Sequence, residues 1–324
     1  MAGPTDTATA NFAQTVQTLI RKELEDELLP NLPHLREGFI KATFVKGTNS
    51  TMRFLRVPYA TPTTNGGTPS AGTAPWLTEG TAPTAEELSI GYEEFTAYQA
   101  GQRWSMSDVA AMESGIDLPA AAARVCARDA AETADEYVGR ILAAGTNVLY
   151  AGTGNTARTA VGSTDAITGS IVRRAAANLA ADSVPRFGDG NYHGIIHPAV
   201  VFDFEEDSDV GGWLNVGQYS KPEAIQTGEL GKYAGVIFYE SPRARVFAAG
   251  GAGSVDVYST FISGPDAYAF GDWGRTTFHY VGFDATTGNE LAQLSSLGWK
   301  GWLGAMLVDE AGARYIRIES ASGL

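Results

Sequence analysis

DLPAAAARVCARDAAETADEYVGRILAAG, residues 117–145, reads as one long helix, and the rest of the chain arranges itself around it. Ser114 and Asp117 offer N-cap oxygens, and Pro119 falls in the first turn, where no backbone donor is missed. Alanine is dense, which favours helix. Val125, Tyr137, Val138, Ile141 and Leu142 recur at helical spacing behind Leu118 and Ala122. Arg124, Arg128, Glu132, Glu136 and Arg140 take the other side, where Glu136 and Arg140 form a favourable i,i+4 pair. Gly145 supplies the stop. Such a helix spans roughly 40 Å, longer than most ordinary domains need.

Composition narrows the function classes. The chain has 324 residues and 44% hydrophobic content, enough for one large core or two moderate ones. Lys and Arg number 23 against 37 Asp and Glu, a net charge of −14. A field of that sign repels DNA and anionic lipid, and it argues against a protein that grips phosphate. The single cysteine, Cys126, excludes an intrachain disulfide and reads as a small core residue. No apolar run reaches membrane-spanning length and no secretory signal is visible, so a soluble protein made in a reducing compartment is expected.

Two regions before the helix are unusual. Phe12, Val16, Leu19, Ile20, Leu24 and Leu28 mark an amphipathic helix. Its end carries Glu23, Glu25, Asp26 and Glu27, the wrong sign for a helix C-terminus. Those acids read either as a solvated face or as a docking surface for a basic patch on another subunit. Lys41–Tyr59 and Leu88–Trp104 are strand-like, with a turn at Gly47-Thr48-Asn49, and a Pro/Gly/Thr-rich stretch separates them. A structureless insert of that length does not belong inside a compact domain. It predicts a β-hairpin arm that projects and needs a partner, with Trp76, Leu77 and Glu79 as anchors near its tip.

After the helix, a strand at 146–150, a helix at 165–181, a strand at 192–197, a short acidic-ended helix and strands at 233–240 and 255–269 predict a compact mixed domain. Residues 275–283 alternate, and 302–308 with 314–319 predict a hairpin around Asp309–Gly312. These last strands have no helix of their own nearby in sequence, so the 117–145 helix is expected to cover them.

Catalytic motifs are weak. Gly152-Thr-Gly154-Asn-Thr-Ala157 follows a short strand, but Gly162 and Ser163 intervene before the next helix, so it reads as a turn. His193 and His197 are four apart on a strand, not on a helix where that spacing suits a metal. Glu205, Glu206, Asp207 and Asp209 lack the spaced oxygens and glycine of a calcium loop. No nucleophile elbow, phosphate loop or zinc-protease helix occurs. No catalytic, cofactor-binding or metal residue is assigned.

Six stretches together resemble one family: WLTEG at 76–80, LAAGTNVLYAGTG at 142–154, YHGIIHPAVVFDF at 192–204, WLNVGQYSKPEAIQTGELGKYAGVIFYES at 213–241, GPDAYAF at 264–270 and GWKGWLGAMLVDEAGARYIRIES at 298–320. They resemble the major capsid proteins of tailed bacteriophages with the HK97-type fold, in the branch related to the short-tailed coliphage with a virion-packaged RNA polymerase. The resemblance implies an α+β fold. It implies an N-terminal arm with its amphipathic helix at 1–39, an extended β-hairpin loop at 40–105 and the spine helix of a peripheral domain at 106–149. It further implies an axial domain at 150–268 and C-terminal strands completing the peripheral domain at 269–324. Hexamers and pentamers would build an icosahedral shell around double-stranded DNA in the bacterial cytoplasm, without sequence-specific binding, cofactor or membrane. Scaffolding, portal and decoration proteins are the further partners it brings into view. Trp76, Leu77, Glu79, Glu23, Glu27, Arg124 and Arg128 are then the candidate intersubunit contacts. The alternatives are a cellular nanocompartment shell of the same fold and a cytosolic enzyme.

Overall fold

The long helix is present, and it organises two sheets. The computed structural model describes residues 32–35, 39–43, 51–56, 80, 91–114, 118–206, 232–272, 276–285, 288–308 and 314–324. A short helix α1 (Asp108–Glu113) precedes α2 (Leu118–Ala144). Ser114 does not open α2. It closes α1, donating its backbone N–H to the Ala110 carbonyl, and Asp117 lies outside the described residues.

The buried stripe of α2 runs through Ala123, Cys126, Ala127, Ala130, Ala131, Ala134, Val138 and Leu142. Small residues let the helix sit close to what it covers. Val125 is off this stripe and 54% exposed, so its placement on the apolar side is corrected. Apolar type alone does not fix the face where alanine supplies most of the burial.

The first sheet contains β1 (Phe39–Thr43), β4 (Tyr98–Ser107), β11 (Tyr268–Asp272), β12 (Thr277–Val281) and β13 (Leu294–Leu307). Only β1 runs parallel to its neighbour, β11. β13 is the hub, pairing antiparallel with β4, β11 and β12. As expected, α2 covers this sheet: Ala123, Cys126, Ala127 and Ala130 pack on Phe278, Leu297 and Trp299. The Trp299 indole N–H donates to Asp129 Oδ2 at 2.6 Å, fixing the helix over the sheet.

The second sheet is built from β5 (Val148–Tyr150), β6 (Tyr192–Ile196), β7 (Lys232–Tyr233), β8 (Val236–Glu240), β9 (Val246–Phe247), β10 (Val257–Ser263) and β14 (Tyr315–Ser320). Its main order is β5-β14-β10-β6-β8-β7, with β9 on β10. Helices α3 (Gly169–Ala181) and α4 (Pro198–Glu206) close one face, burying Val172, Leu179, Val200 and Phe204 against Phe238, Ile262, Ile316 and Ile318. A third, two-stranded ladder pairs β2 (Thr51–Arg56) with β3 (Gly91–Thr96).

Two expectations change. The 302–308 and 314–319 segments do not form a hairpin: β13 stays in the first sheet, while β14 enters the second between β10 and β5. Every residue of β14 is buried, so both its faces are claimed. Ile316 and Ile318 join the α3–α4 core, whereas Tyr315 joins Val138, Leu142 and Phe261 beneath α2. The C-terminal strands therefore divide between the sheets. The arm's paired ribs are also shorter than the strand-like runs, because 39–43 and 98–107 belong to the first sheet. The amphipathic helix of 12–28, the turn at 47–49, the stretch at 57–79 and the turn at 309–312 lie outside the described residues.

Gly145, just past the end of α2, sits where no side chain fits. A Cβ there would lie 2.1 Å from the Tyr315 hydroxyl oxygen and 2.7 Å from its ring. Tyr315 is fully buried and has little room to yield. Gly145→Ala is expected to cost about 1–3 kcal/mol of stability, seen as a lowered thermal midpoint. An unchanged midpoint would contradict this packing.

Candidate assembly surface and the junction that supports it

The arm is rooted in the first sheet. Phe95 and Ala97, at the β3–β4 step, are buried with Ala269 and flanked by Met52, Phe54, Trp302 and Met306. Gly304 makes this root possible, since a Cβ there would meet the Phe95 ring at 2.7 Å. Farther out, Tyr92 is 61% exposed, with the Arg53 guanidinium 4.8 Å from its ring centre. Trp76, Leu77 and Glu79 fall in the stretch between β2 and β3 in sequence that lies outside the described residues, and Glu23 and Glu27 fall in undescribed 1–31.

The N-terminal segment is tied down at its exit. Leu32 packs on Ala131 of α2. The His34 backbone N–H donates to Asp135 Oδ1 at 3.0 Å, and its ring Nδ1 lies 2.9 Å from Oδ2. The Tyr268 hydroxyl donates to the His34 carbonyl at 2.5 Å, and burial, with the Asp135 charge, pushes the phenol pKa up. Gly139 leaves space for the imidazole, because a Cβ there would approach it to 3.1 Å. Sequence reading passed over Asp135, whose only signal was an acid on the buried side of a helix.

On the outer side of α2, Arg124 and Arg128 are exposed, as the helical pattern predicts. Glu132 is not a free surface acid. Arg128 Nε donates to Glu132 Oε1 at 2.5 Å, and Arg243, from the loop between β8 and β9, pairs with the same oxygen. Partial burial pushes the Glu132 pKa up, but the Arg128 hydrogen bond and the two cations hold it below the usual carboxylate range. This clamp joins α2 to the second sheet.

A buried charge cluster makes the same connection from inside. Glu319 is fully buried. Arg158 reaches it with Nε at 2.9 Å and Nη2 at 2.6 Å. Arg317 Nε stands 3.0 Å from Oε1 as an ion pair. Arg317 Nη1 then donates to the carbonyls of Leu142 and Ala143. Those carbonyls lie in the last turn, at the negative end of α2, so a guanidinium from β14 caps the helix through space. Burial draws the Arg317 pKa down, against the pull of the Glu319 carboxylate.

The enzyme-like motifs are structural. Gly152 and Gly154 take positive φ in a turn, where Asn155 donates to Ala151 O and Asp165 Oδ2. The next α-helix begins only at Gly169. His193 stacks on Phe187 and lies 3.0 Å from Asp189, while His197 Nδ1 accepts the Ala199 N–H at the start of α4. The two rings thus serve different partners. Glu205 and Glu206 are exposed at the end of α4, and Asp207 and Asp209 lie outside the described residues.

Cys126 is buried against the first sheet. Burial, and then the Asp129 charge, pushes its thiol up to about 12 from 9.0. Because the folded pKa is raised, this contribution to stability is full below 9.0 and is lost as pH rises toward about 12. A thiol reagent at about pH 8 is expected to leave the native subunit unlabelled and to label it fully on unfolding. Rapid labelling of folded protein would overturn the buried placement.

Residues 101–281, more than half of the chain, match the phage capsid protein family. The chain belongs to that family. It is a capsid shell protein. No curated protein matches the sequence. Among solved structures it is similar to the capsid of Ralstonia phage GP4, at 16% identity and a TM-score of 0.64, over 88% of this chain and 87% of that one. It is also similar to the Cyanophage Pam1 capsid asymmetric unit, at 14% identity and a TM-score of 0.65, over 88% and 89%. The head structure of Helicobacter pylori bacteriophage KHP40 matches at 14% identity and a TM-score of 0.55, over 87% of each chain. At these identities the likeness is one of fold, and the capsid chain adopts the α+β HK97-type architecture.

Proposed function

We propose that this chain is the major capsid subunit of a tailed phage, assembling with itself as hexamers and pentamers into an icosahedral shell around double-stranded DNA. The observation that carries the reading is the β2–β3 ladder. Its two strands form a separate hydrogen-bonded sheet whose root packs on the first sheet through Phe95, while Tyr92 farther out is 61% exposed, and a two-stranded ladder of this kind is marginal alone in water. A neighbouring subunit supplies the surface that stabilises it. In this reading the first sheet with α2 is the peripheral domain, the second sheet with α3 and α4 is the axial domain, and β14 belongs to both. The role is structural rather than enzymatic. The sequence resemblance favours the coliphage branch with a packaged RNA polymerase. Assembly takes place in the host cytoplasm, with scaffolding, portal or decoration proteins as further partners.

The net charge of −14 suits a container that DNA must enter without sticking to the wall. Contacts along arms and overlapping loops add up over many subunits, so each needs only modest strength. Sedimentation and electron microscopy of purified protein test the reading. Closed shells are expected, and a monomer under every salt and concentration condition would sink it.

A further inference from the structure

The first sheet has a second face, turned away from α2, and its chemistry differs from the rest of this acidic chain. Strand alternation puts Phe278, Leu297 and Trp299 under the helix, so Arg103, His279 and Lys300 stand on the other side. All three are exposed. Arg103 and His279 flank Gly298 on its two neighbouring strands, and Lys300 lies two residues further along β13, opposite Gly101. The two glycines leave a backbone floor, and a groove of about 610 Å³ runs over it. Among the described residues no carboxylate lines the groove, and neither Arg103 nor Lys300 forms an ion pair.

The chain also contains acids in search of cations. On the helix predicted for 12–28, Arg21 and Lys22 stand four residues before Glu25 and Asp26, at pairing distance. Glu23 and Glu27 have no basic residue three or four positions away. If that predicted helix forms, they would be a like-charged i,i+4 pair near its C-terminal end, where a cation from elsewhere would relieve them. Their β-carbons are about 5–6 Å apart on such a helix. Arg103 and Lys300 are diagonal neighbours on adjacent strands, roughly 7–8 Å apart at the backbone and carried on long side chains. The spacings match.

We propose that this basic groove receives Glu23 and Glu27 of a neighbouring copy of the chain. The neighbour is favoured over the same chain because Leu32 and His34, where the described residues begin, pack on α2, the opposite layer from the groove. The inference rests on the shell reading above and assigns one of its contacts.

Charge exchange tests it in the full-length chain. Glu23→Lys with Glu27→Lys is expected to lower the assembled fraction by about tenfold or more at low salt, because two attractive pairs per subunit become repulsive across the shell. Arg103→Glu with Lys300→Glu should do the same, and the quadruple variant should recover shells. Unchanged assembly of the Glu23/Glu27 variant overturns the proposal, and that variant decides alone if the sheet variant fails to fold. Failure of the quadruple variant to recover, with an unchanged thermal midpoint, also overturns it. A groove that instead contacts packaged phosphate would show as altered salt-dependent retention of duplex DNA in Arg103→Gln/Lys300→Gln shells, with Glu23/Glu27 silent; this too overturns the pairing. If the parent chain itself never assembles, the shell reading fails first, and that result is distinct from all the others.

Discussion

Replacing Glu319 with alanine is expected to destabilise the subunit by about 3–5 kcal/mol, the range for breaking a buried ion pair by removing one partner. The carboxylate has no exposed surface and receives Arg158 and Arg317 together. Without it, two guanidiniums share a site with no counter-charge, and Arg317 is pulled from the Leu142 and Ala143 carbonyls that it caps. The loss would therefore spread from the second sheet into the end of α2. Denaturant unfolding of unassembled subunit measures it. Glu319→Gln, which keeps an acceptor but not the charge, should lose less. A change below about 1 kcal/mol for the alanine variant would mean that solvent replaces the pair at little cost.

Removing residues 61–79, with a short Gly-Ser bridge in their place, is expected to abolish stable shells while leaving the subunit folded. The deletion falls between β2 and β3 in sequence and removes no strand residue of either large sheet. The Phe95 and Ala97 root in the first sheet stays intact. Circular dichroism and the unfolding midpoint should match the parent, whereas sedimentation should show subunits or small oligomers. Shells of unchanged stability would refute the role given to the arm.

Where periodicity could speak, the sequence was legible. The alanine-rich run gave α2 to within a residue at each end, and alternation gave β12. The partnership of α2 with the C-terminal strands followed because those strands had an apolar face and no local helix. The route of β14 was not legible. All six of its residues are buried, so alternation carries no information about which sheet claims it. Long-range polar contacts were equally silent. His34 and Asp135, Arg158 and Glu319, and Arg103 and Lys300 are each far apart in the chain, and only the folded register brings them together. Val125 misled because burial on α2 is carried by alanine. The candidate contacts at Arg124 and Arg128 were legible as exposed positions, since charge at helical spacing marks a wet face.

The late arrival of β14 governs the order of events at the ribosome. Its sheet partners β5 and β10 are translated well before it, and the second sheet has a gap between them until residues 315–320 emerge. During that interval Phe261 and Ile262 lack their strand neighbour, and the end of α2 lacks its arginine cap. A nascent chain is thus held open as an unsealed sheet edge, the kind of surface that invites wrong pairing and chaperone attention. Because β14 packs on both cores, one insertion closes the two together. A single strand-docking event therefore completes the second sheet and the arginine cap on α2 together.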